Sequence, residues 1–277
     1  MRIAALLTCF NRKEKTRKCL TSLFAVRPDC DVYLVDDGST DGTSDMIRDL
    51  FPNVTIIKGP GDLFWSRGMY TAWKEALKGD YDYYLWLNDD VELKPYFSDE
   101  LLRSKELIGE DCVVSGLIGN IEGQGVLYGG SDRNKRLLGE ADYPQDIQYM
   151  NGNVVLIPRN VVRRIGIIDP VLHHDLGDVD YGLTAIEHGI RVVATTRIIA
   201  LGYPNEYCRV RKWGVNLRER FHRLNTPLGS PLRINYYFRK KHYGFMKAVM
   251  FCSYLTLLNL LPDWAVVKIW GTTYKNK

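Results

Sequence analysis

The sequence predicts an α/β domain with a mostly parallel central sheet flanked by helices, and three features carry that prediction. Runs of strand length recur at 3–9 (IAALLTC), 32–36 (VYLVD), 54–58 (VTIIK) and 81–87 (YDYYLWL), each largely apolar, β-branched or aromatic. Helix-like segments at 14–24, 43–50 and 66–77 separate them, so the first 90 residues read βαβαβαβ. Stretches rich in Asp and Gly stand where strands stop, the edge of such a sheet at which functional residues collect.

The first strand is followed by charge, not by a small-residue cleavage site, so it reads as a buried strand and not as a targeting segment. After residue 90 the pattern becomes mixed. A helix over 98–108 leads to strands at 113–119 and 124–130, a polar loop through 146, and a strand at 153–158. A helix from Pro158 to Ile165, another from Asp178 to His188 and a late strand at 191–199 complete the body. The economical division is one α/β domain over 1–200 and a basic, aromatic helical extension over 201–277.

Composition narrows the function. Of the 277 residues 45% are hydrophobic and 25% charged, which suits a globular core and excludes a disordered chain. The six cysteines, at 9, 19, 30, 112, 208 and 252, show no CxxC and no zinc-finger spacing, which suits a reduced, cytosolic compartment. The net charge of +4 hides an asymmetry: residues 201–277 carry +11 and the rest −7. The basic residues of the tail are interleaved with Phe, Tyr, Trp and Leu and form no nucleic-acid module, so an anionic membrane face fits better than nucleic acid. The longest apolar run, 245–261, is interrupted by Lys247, Ser253 and Asn259 and is too short to span a bilayer.

Four stretches could carry chemistry. VDDGSTDGT at 35–43 ends a strand, where Asp36 and Asp37 could accept hydrogen bonds from a nucleoside; the plain alternative is a turn with a helix cap at Thr40 or Thr43. No GxGxxG follows the first strand, which argues against NAD. LWLNDDVEL at 85–93 ends in Asn88-Asp89-Asp90; on extended backbone Asn88 and Asp90 share one face and Asp89 takes the other. Hard oxygens there suit Mg²⁺ or Mn²⁺ bridging two phosphates. In GPGDLFWSRGM, from residue 59, helix N–H groups and Arg67 could meet phosphate, with Phe64 and Trp65 as core or as a wall for a base or sugar. LHHDLGDVDYG at 172–182 supplies Asp178 and Asp180, more acid than capping needs, and a carboxylate here could deprotonate an incoming hydroxyl. His173 and His174 are weaker signals, without metal-cage spacing.

Together, CFNRK at 9–13, VDDGSTDGT at 35–43, NDD at 88–90 and GDVDYG at 177–182 resemble glycosyltransferase family 2, the inverting enzymes of GT-A fold, over roughly residues 1–200. The resemblance implies transfer of a sugar from a nucleotide-diphosphate donor, a UDP or dTDP sugar, with a divalent cation. It implies nucleotide-pocket positions at Cys9, Phe10, Arg12, Asp36 and Asp37, an arginine near the diphosphate at Arg67, and a DxD-type position at Asn88, Asp89 and Asp90 with Asp90 as metal ligand. Asp178 looks like the catalytic base and Asp180 its partner. LFWSRGM resembles the subgroup that builds bacterial cell-surface polysaccharides, including rhamnosyltransferases, and so implies a glycan or lipid-linked acceptor.

Two departures stand out. Asn88 puts an amide at the first DxD-type position, and ALGYPNEYCRVRKW, from residue 200, lacks the histidine that the family often supplies after the late strand. Arg209, Arg211, Lys212 and Trp213 are expected in a region closing over the diphosphate, with a solvated basic loop as the alternative. The C-terminal aromatic and basic residues are expected to attach the chain to the inner face of the cell membrane, with a homodimer surface or a packed terminal helix as the rival. A nucleotidyltransferase is an alternative, but it would favour a glycine- and lysine-rich N-terminal loop. A non-catalytic nucleotide-sugar or carbohydrate binder is another, against which the acids at 178 and 180 argue.

Overall fold

The computed structural model describes residues 1–109, 111–123, 125–204 and 209–273, and these form two compact units, the first from the described residues of 1–170 with 177–204 and the second from 171–176 with 209–273. Cys208 and the rest of 205–208 lie outside the described residues.

The first unit begins β1 (Ile3–Cys9), α1 (Lys13–Val26), β2 (Asp31–Asp36), α2 (Thr43–Leu50), β3 (Val54–Lys58), α3 (Phe64–Ala76), β4 (Tyr83–Leu87), as expected from the apolar runs. It continues through β5 (Glu92–Leu93), α4 (Phe97–Ile108), β6 (Cys112–Asn120), β7 (Val126–Tyr128), β8 (Gly130–Ser131), β9 (Tyr149–Met150), β10 (Val154–Pro158), α5 (Arg159–Ile165), α6 (Gly177–Glu187) and β11 (Arg191–Gly202). The main sheet runs β3-β2-β1-β4-β10-β6-β11-β5, with β7 beside β6. Most of its strands point one way; β10, β5 and β7 are antiparallel to their neighbours. Strands β5, β8 and β9 were not expected, being too short to leave a periodic signal.

Alternation along the strands sorts side chains onto two apolar layers. Ile3, Ala5 and Leu7 of β1, Leu85 and Leu87 of β4, and Val154 and Leu156 of β10 face one layer, which α1, α2 and α4 cover with Leu20, Ile47 and Phe97. Ala4 and Leu6, Tyr84 and Trp86, and Val155 and Ile157 face the other, which α3, α5 and α6 cover with Trp73, Val161 and Tyr181. An aromatic block fixes this second layer: Trp86 lies 5.5 Å from Trp73 and 5.2 Å from Tyr181, and Trp65 sits 5.6 Å from Trp86. It ties α3 and α6 to β4, whose C-terminal end carries the acids.

The second unit holds α7 (Leu217–Leu224), α8 (Leu232–Tyr243), α9 (Phe245–Leu260) and α10 (Asp263–Trp270). Arg211 and Arg220 are buried in it. Arg211 donates to the Leu258 and Leu261 carbonyls and Arg220 to those of Asn259, Leu261 and Val215, and both pair with Asp263. These carbonyls include the C-terminal groups of α9 that have no partner within the helix. Arg211 is therefore built into the unit's interior and is not the exposed phosphate contact its sequence position suggested. No described helix is long and apolar enough to cross a membrane.

Candidate functional site

Chain segments at the C-terminal edge of β1, β2 and β4 are tied together by hydrogen bonds. Register aligns Cys9 with Asp36 and Asp36 with Lys58 across β1, β2 and β3. Asn11, in the left-handed region at φ 51°, accepts on its side chain from the Thr40 N–H, while its own N–H donates to the Ser39 hydroxyl. Asn tolerates this conformation better than most residues. The turn sends Arg12 toward β4, where Nη1 lies 3.0 Å from Asp89 Oδ1 and 2.9 Å from Asp90 Oδ2.

The two acid pairs are held differently. Asp36 accepts from the Ser39 N–H and the Ser44 hydroxyl. Asp37, 4% exposed, accepts from the Gly61 N–H at 2.9 Å and from the Leu63 and Phe64 N–H groups at 2.8 and 3.0 Å. Two of the N–H groups at the start of α3, those of Leu63 and Phe64, are thus taken by Asp37. The α2 cap also differs: Gly42 occupies it, and Asp41 accepts from the Thr43 N–H and hydroxyl in place of capping by Thr40 or Thr43.

At the other pair β4 stops at Leu87, so alternation does not run through residues 88–90. Asp89 and Asp90 meet on one arginine and do not diverge, which corrects the expected arrangement. Asp89 is buried, and that burial pushes its carboxyl up to about 7, with Arg12 opposing and Asp90 adding to the rise. Asn88 faces elsewhere: Oδ1 accepts from Trp65 Nε1 at 2.7 Å and Nδ2 donates to Asn153 Oδ1 at 2.7 Å.

The base candidate joins the same edge through the residue preceding Asn153. Gly152 N–H donates to Asp178 Oδ2 at 2.9 Å, and Asp178 Oδ1 accepts from the Val179 N–H in the first turn of α6. Asp180 is buried one turn into that helix. Asp178 is therefore linked to Asn88 through Gly152 and Asn153, and Asn88 directly precedes Asp89 and Asp90, which meet on Arg12. Arg67 Nε donates to the Pro170 carbonyl. Phe10 is 53% exposed beside the buried Cys9, whose thiol is raised by that burial. A cavity of about 420 Å³ opens beside Asp36, lined also by Ser39, Ser44, Arg48 and Lys58. His173 and His174 fall in 171–176, grouped with the second unit. Sequence reading missed Asn153 and Gly152, since NGN ahead of an apolar strand reads as an ordinary turn.

Among the described residues no group of three or more His, Cys, Asp or Glu is arranged to hold a metal. Asn88 Oδ1 is occupied by Trp65, and Asp89 is turned to Arg12 and the Thr16 hydroxyl. Asp90 offers its second oxygen. One carboxylate fits a Mg²⁺ or Mn²⁺ that arrives with the donor's phosphates and water, and does not fit a protein-built cage.

Several known proteins are similar to this chain. The profile "Glycosyl transferase family 2" matches residues 5–166. The poly-beta-1,6-N-acetyl-D-glucosamine synthase of Staphylococcus epidermidis is 28% identical over 112 residues, 39% of this chain; the match spans only 27% of that protein's length. Among solved structures, S. aureus TarS 1-349 superposes with a TM-score of 0.61 at 12% identity, covering 100% of this chain and 76% of that one, and it has also been solved with UDP and UDP-GlcNAc. The mannosyltransferase PcManGT of Pyrobaculum calidifontis, in complex with GDP-Man and Mn²⁺, gives 0.55 at 14% identity over 99% of this chain and 81% of that one. The structural likenesses show the fold, and the profile covers more than half of the chain: this protein belongs to glycosyl transferase family 2.

Proposed function

We propose that the chain transfers a sugar from a nucleoside-diphosphate donor to a hydroxyl of a glycan or lipid-linked acceptor with inversion, Asp178 acting as general base. Family membership supports the reaction class. The observation that supports the base assignment is the Gly152 N–H bond to Asp178, next to the Asn153 that is hydrogen-bonded to Asn88 just after β4. In the proposed step the acceptor hydroxyl gives its proton to Asp178, its oxygen bonds the anomeric carbon, and the bond from that carbon to the diphosphate breaks. Phe10 offers a ring face for the base, and Asp36, Asp37 and Arg67 flank the nucleotide. Arg12, anchored through Nη1, directs the rest of its guanidinium at the diphosphate. A Mg²⁺ or Mn²⁺ held by Asp90 would neutralise charge on the departing diphosphate when bound. The donors that fit the reading are UDP, dTDP and GDP sugars, the first two favoured by the resemblance and rhamnose among the candidate sugars.

Asp178→Asn tests the base. Transfer should fall by about a hundred- to ten-thousandfold while binding of UDP, dTDP or GDP, read by calorimetry, stays intact. Full transfer by the variant would remove the assignment.

Attachment to an anionic membrane face is part of the proposal. On α9, Met246, Val249, Met250, Leu257 and Leu260 form an exposed apolar stripe, and Trp264 and Ile269 on α10 are exposed as well. Lys240, Lys241, Lys247 and Lys268 provide positive charge in the same unit. Flotation with vesicles containing phosphatidylglycerol should carry the protein upward, and Met250→Glu with Trp264→Glu should abolish this. Concentration-dependent dimerisation lost in the same variant, without flotation, would assign the stripe to a homodimer.

A further inference from the structure

We propose that Asn88 is a positioning residue: with Trp65, Asn153 and Gly152 it sets where the Asp178 carboxylate stands relative to the Asp89–Asp90 turn. The inference rests on Asp178 as base and goes beyond it, giving the amide at the first DxD-type position a task other than cation or phosphate binding.

The orientation of the Asn88 amide follows from its partner. Indole Nε1 can only donate, so the atom 2.7 Å from it is Oδ1, and the amide nitrogen must face Asn153. Two bonds then run from residue 88 to residue 153, Nδ2 to Oδ1 at 2.7 Å and the Asn88 N–H to the Asn153 carbonyl at 2.8 Å. They fix the start of β10, and the residue just before, Gly152, donates to Asp178 Oδ2 at 2.9 Å. Both polar ends of the amide are committed within this network.

Packing closes the arrangement. A methyl group on Gly152 would lie 2.6 Å from the Trp65 ring and 3.0 Å from Asp178 Cβ, so only glycine lets the ring and the base approach the same backbone atom. One on Gly177 would lie 3.0 Å from Ser66 Cβ, which presses the start of α6 onto the first turn of α3. Trp65 thus bears on Asp178 twice, through Asn88 and Asn153 by hydrogen bonds and across Gly152 by contact. The block of Trp65, Trp86, Trp73 and Tyr181 beneath holds α3, β4 and α6 as one body. A base must stand within hydrogen-bond reach of its hydroxyl, and small displacements cost large factors in rate.

The test separates positioning from binding. Asn88→Ala should lower kcat for the best donor of the UDP, dTDP and GDP series by roughly ten- to hundredfold, with the Kd of the free nucleotide and the Mn²⁺ concentration for half-maximal rate unchanged within twofold. Trp65→Phe, which removes the indole N–H while keeping a ring, should show the same split and serves if the alanine variant fails to fold. Asn88→Asp should not raise kcat or tighten the Mn²⁺ requirement. A weakened nucleotide Kd or a raised Mn²⁺ requirement in Asn88→Ala, or tighter Mn²⁺ dependence in Asn88→Asp, would overturn the proposal by making residue 88 a ligand. Wild-type kcat in both Asn88→Ala and Trp65→Phe, alongside an inactive Asp178→Asn, would overturn the positioning role alone; an active Asp178→Asn would remove the base reading itself.

Discussion

Each unit contains an arginine–aspartate cluster, and the two have opposite stoichiometry. In the first, Arg12 serves two acids, Asp89 and Asp90; in the second, Arg211 and Arg220 share one, Asp263. The surplus positive charge of the second cluster is met inside the chain by carbonyls at and beyond the end of α9. Among the described residues no second cation pairs with Asp89 or Asp90, and one Asp90 oxygen remains for a ligand. A cluster completed by its own backbone holds structure; one left a positive charge short is arranged for a cation or a charged substrate group.

The largest effect should come from breaking the completed cluster. Asp263→Ala leaves two buried guanidinium groups sharing only neutral acceptors, and removing one partner of such a cluster costs about 3–5 kcal/mol. Urea unfolding should show the loss as a lower midpoint or a separate early transition. Arg220 already lies below the usual arginine range because of its burial and of Arg211 beside it, which points the same way.

The pH response should separate the clusters by sign. Asp89 is raised to about 7 from an unfolded value near ~3.9, so the folded chain binds the extra proton between these values and this group's contribution falls as pH rises from about 4 to about 7, by at most about 4 kcal/mol. Asp263 moves the other way: partial burial disfavours its charge, but the Gly214 N–H and Arg211 outweigh that and hold it below the usual carboxylate range. Its contribution is present above about pH 4 and is lost as pH falls through the folded value. Asp89→Asn should therefore flatten the decline in Tm between pH 4.5 and 7.5 and leave the acid limb in place. An unchanged decline in that variant would break the contrast.

The sheet was legible because β1, β2, β3 and β4 carry apolar residues on both faces at strand length, with helices of matching length between. Strands β5, β8 and β9, two residues each, carry no period to read. At the site, residue types were legible and pairings were not. Asp89 and Asp90 announced an acidic strand end, but their meeting on Arg12 depends on the left-handed turn at Asn11 and on β4 ending at Leu87. The use of Asn88 was hidden for the same reason, since its partners lie 23 and 65 residues away. Arg211 read as a surface cation, because nothing local in the sequence foretells the α9 carbonyls that bury it.

Asp37 sharpens the contrast within the first unit, being an acid of the same sheet edge that is fully supplied with donors. Three backbone N–H groups converge on it, two of them at the start of α3. Asp37→Ala removes all three bonds and frees the 59–64 loop that positions Trp65. Charge-assisted bonds of this kind are worth about 1.5–3 kcal/mol each when isolated, but water can reach part of this loop, so the summed loss should be nearer about 2–3 kcal/mol. Urea unfolding at a single pH should show it as a lowered midpoint. An unchanged midpoint would mean that donor supply is not what distinguishes the two acid pairs.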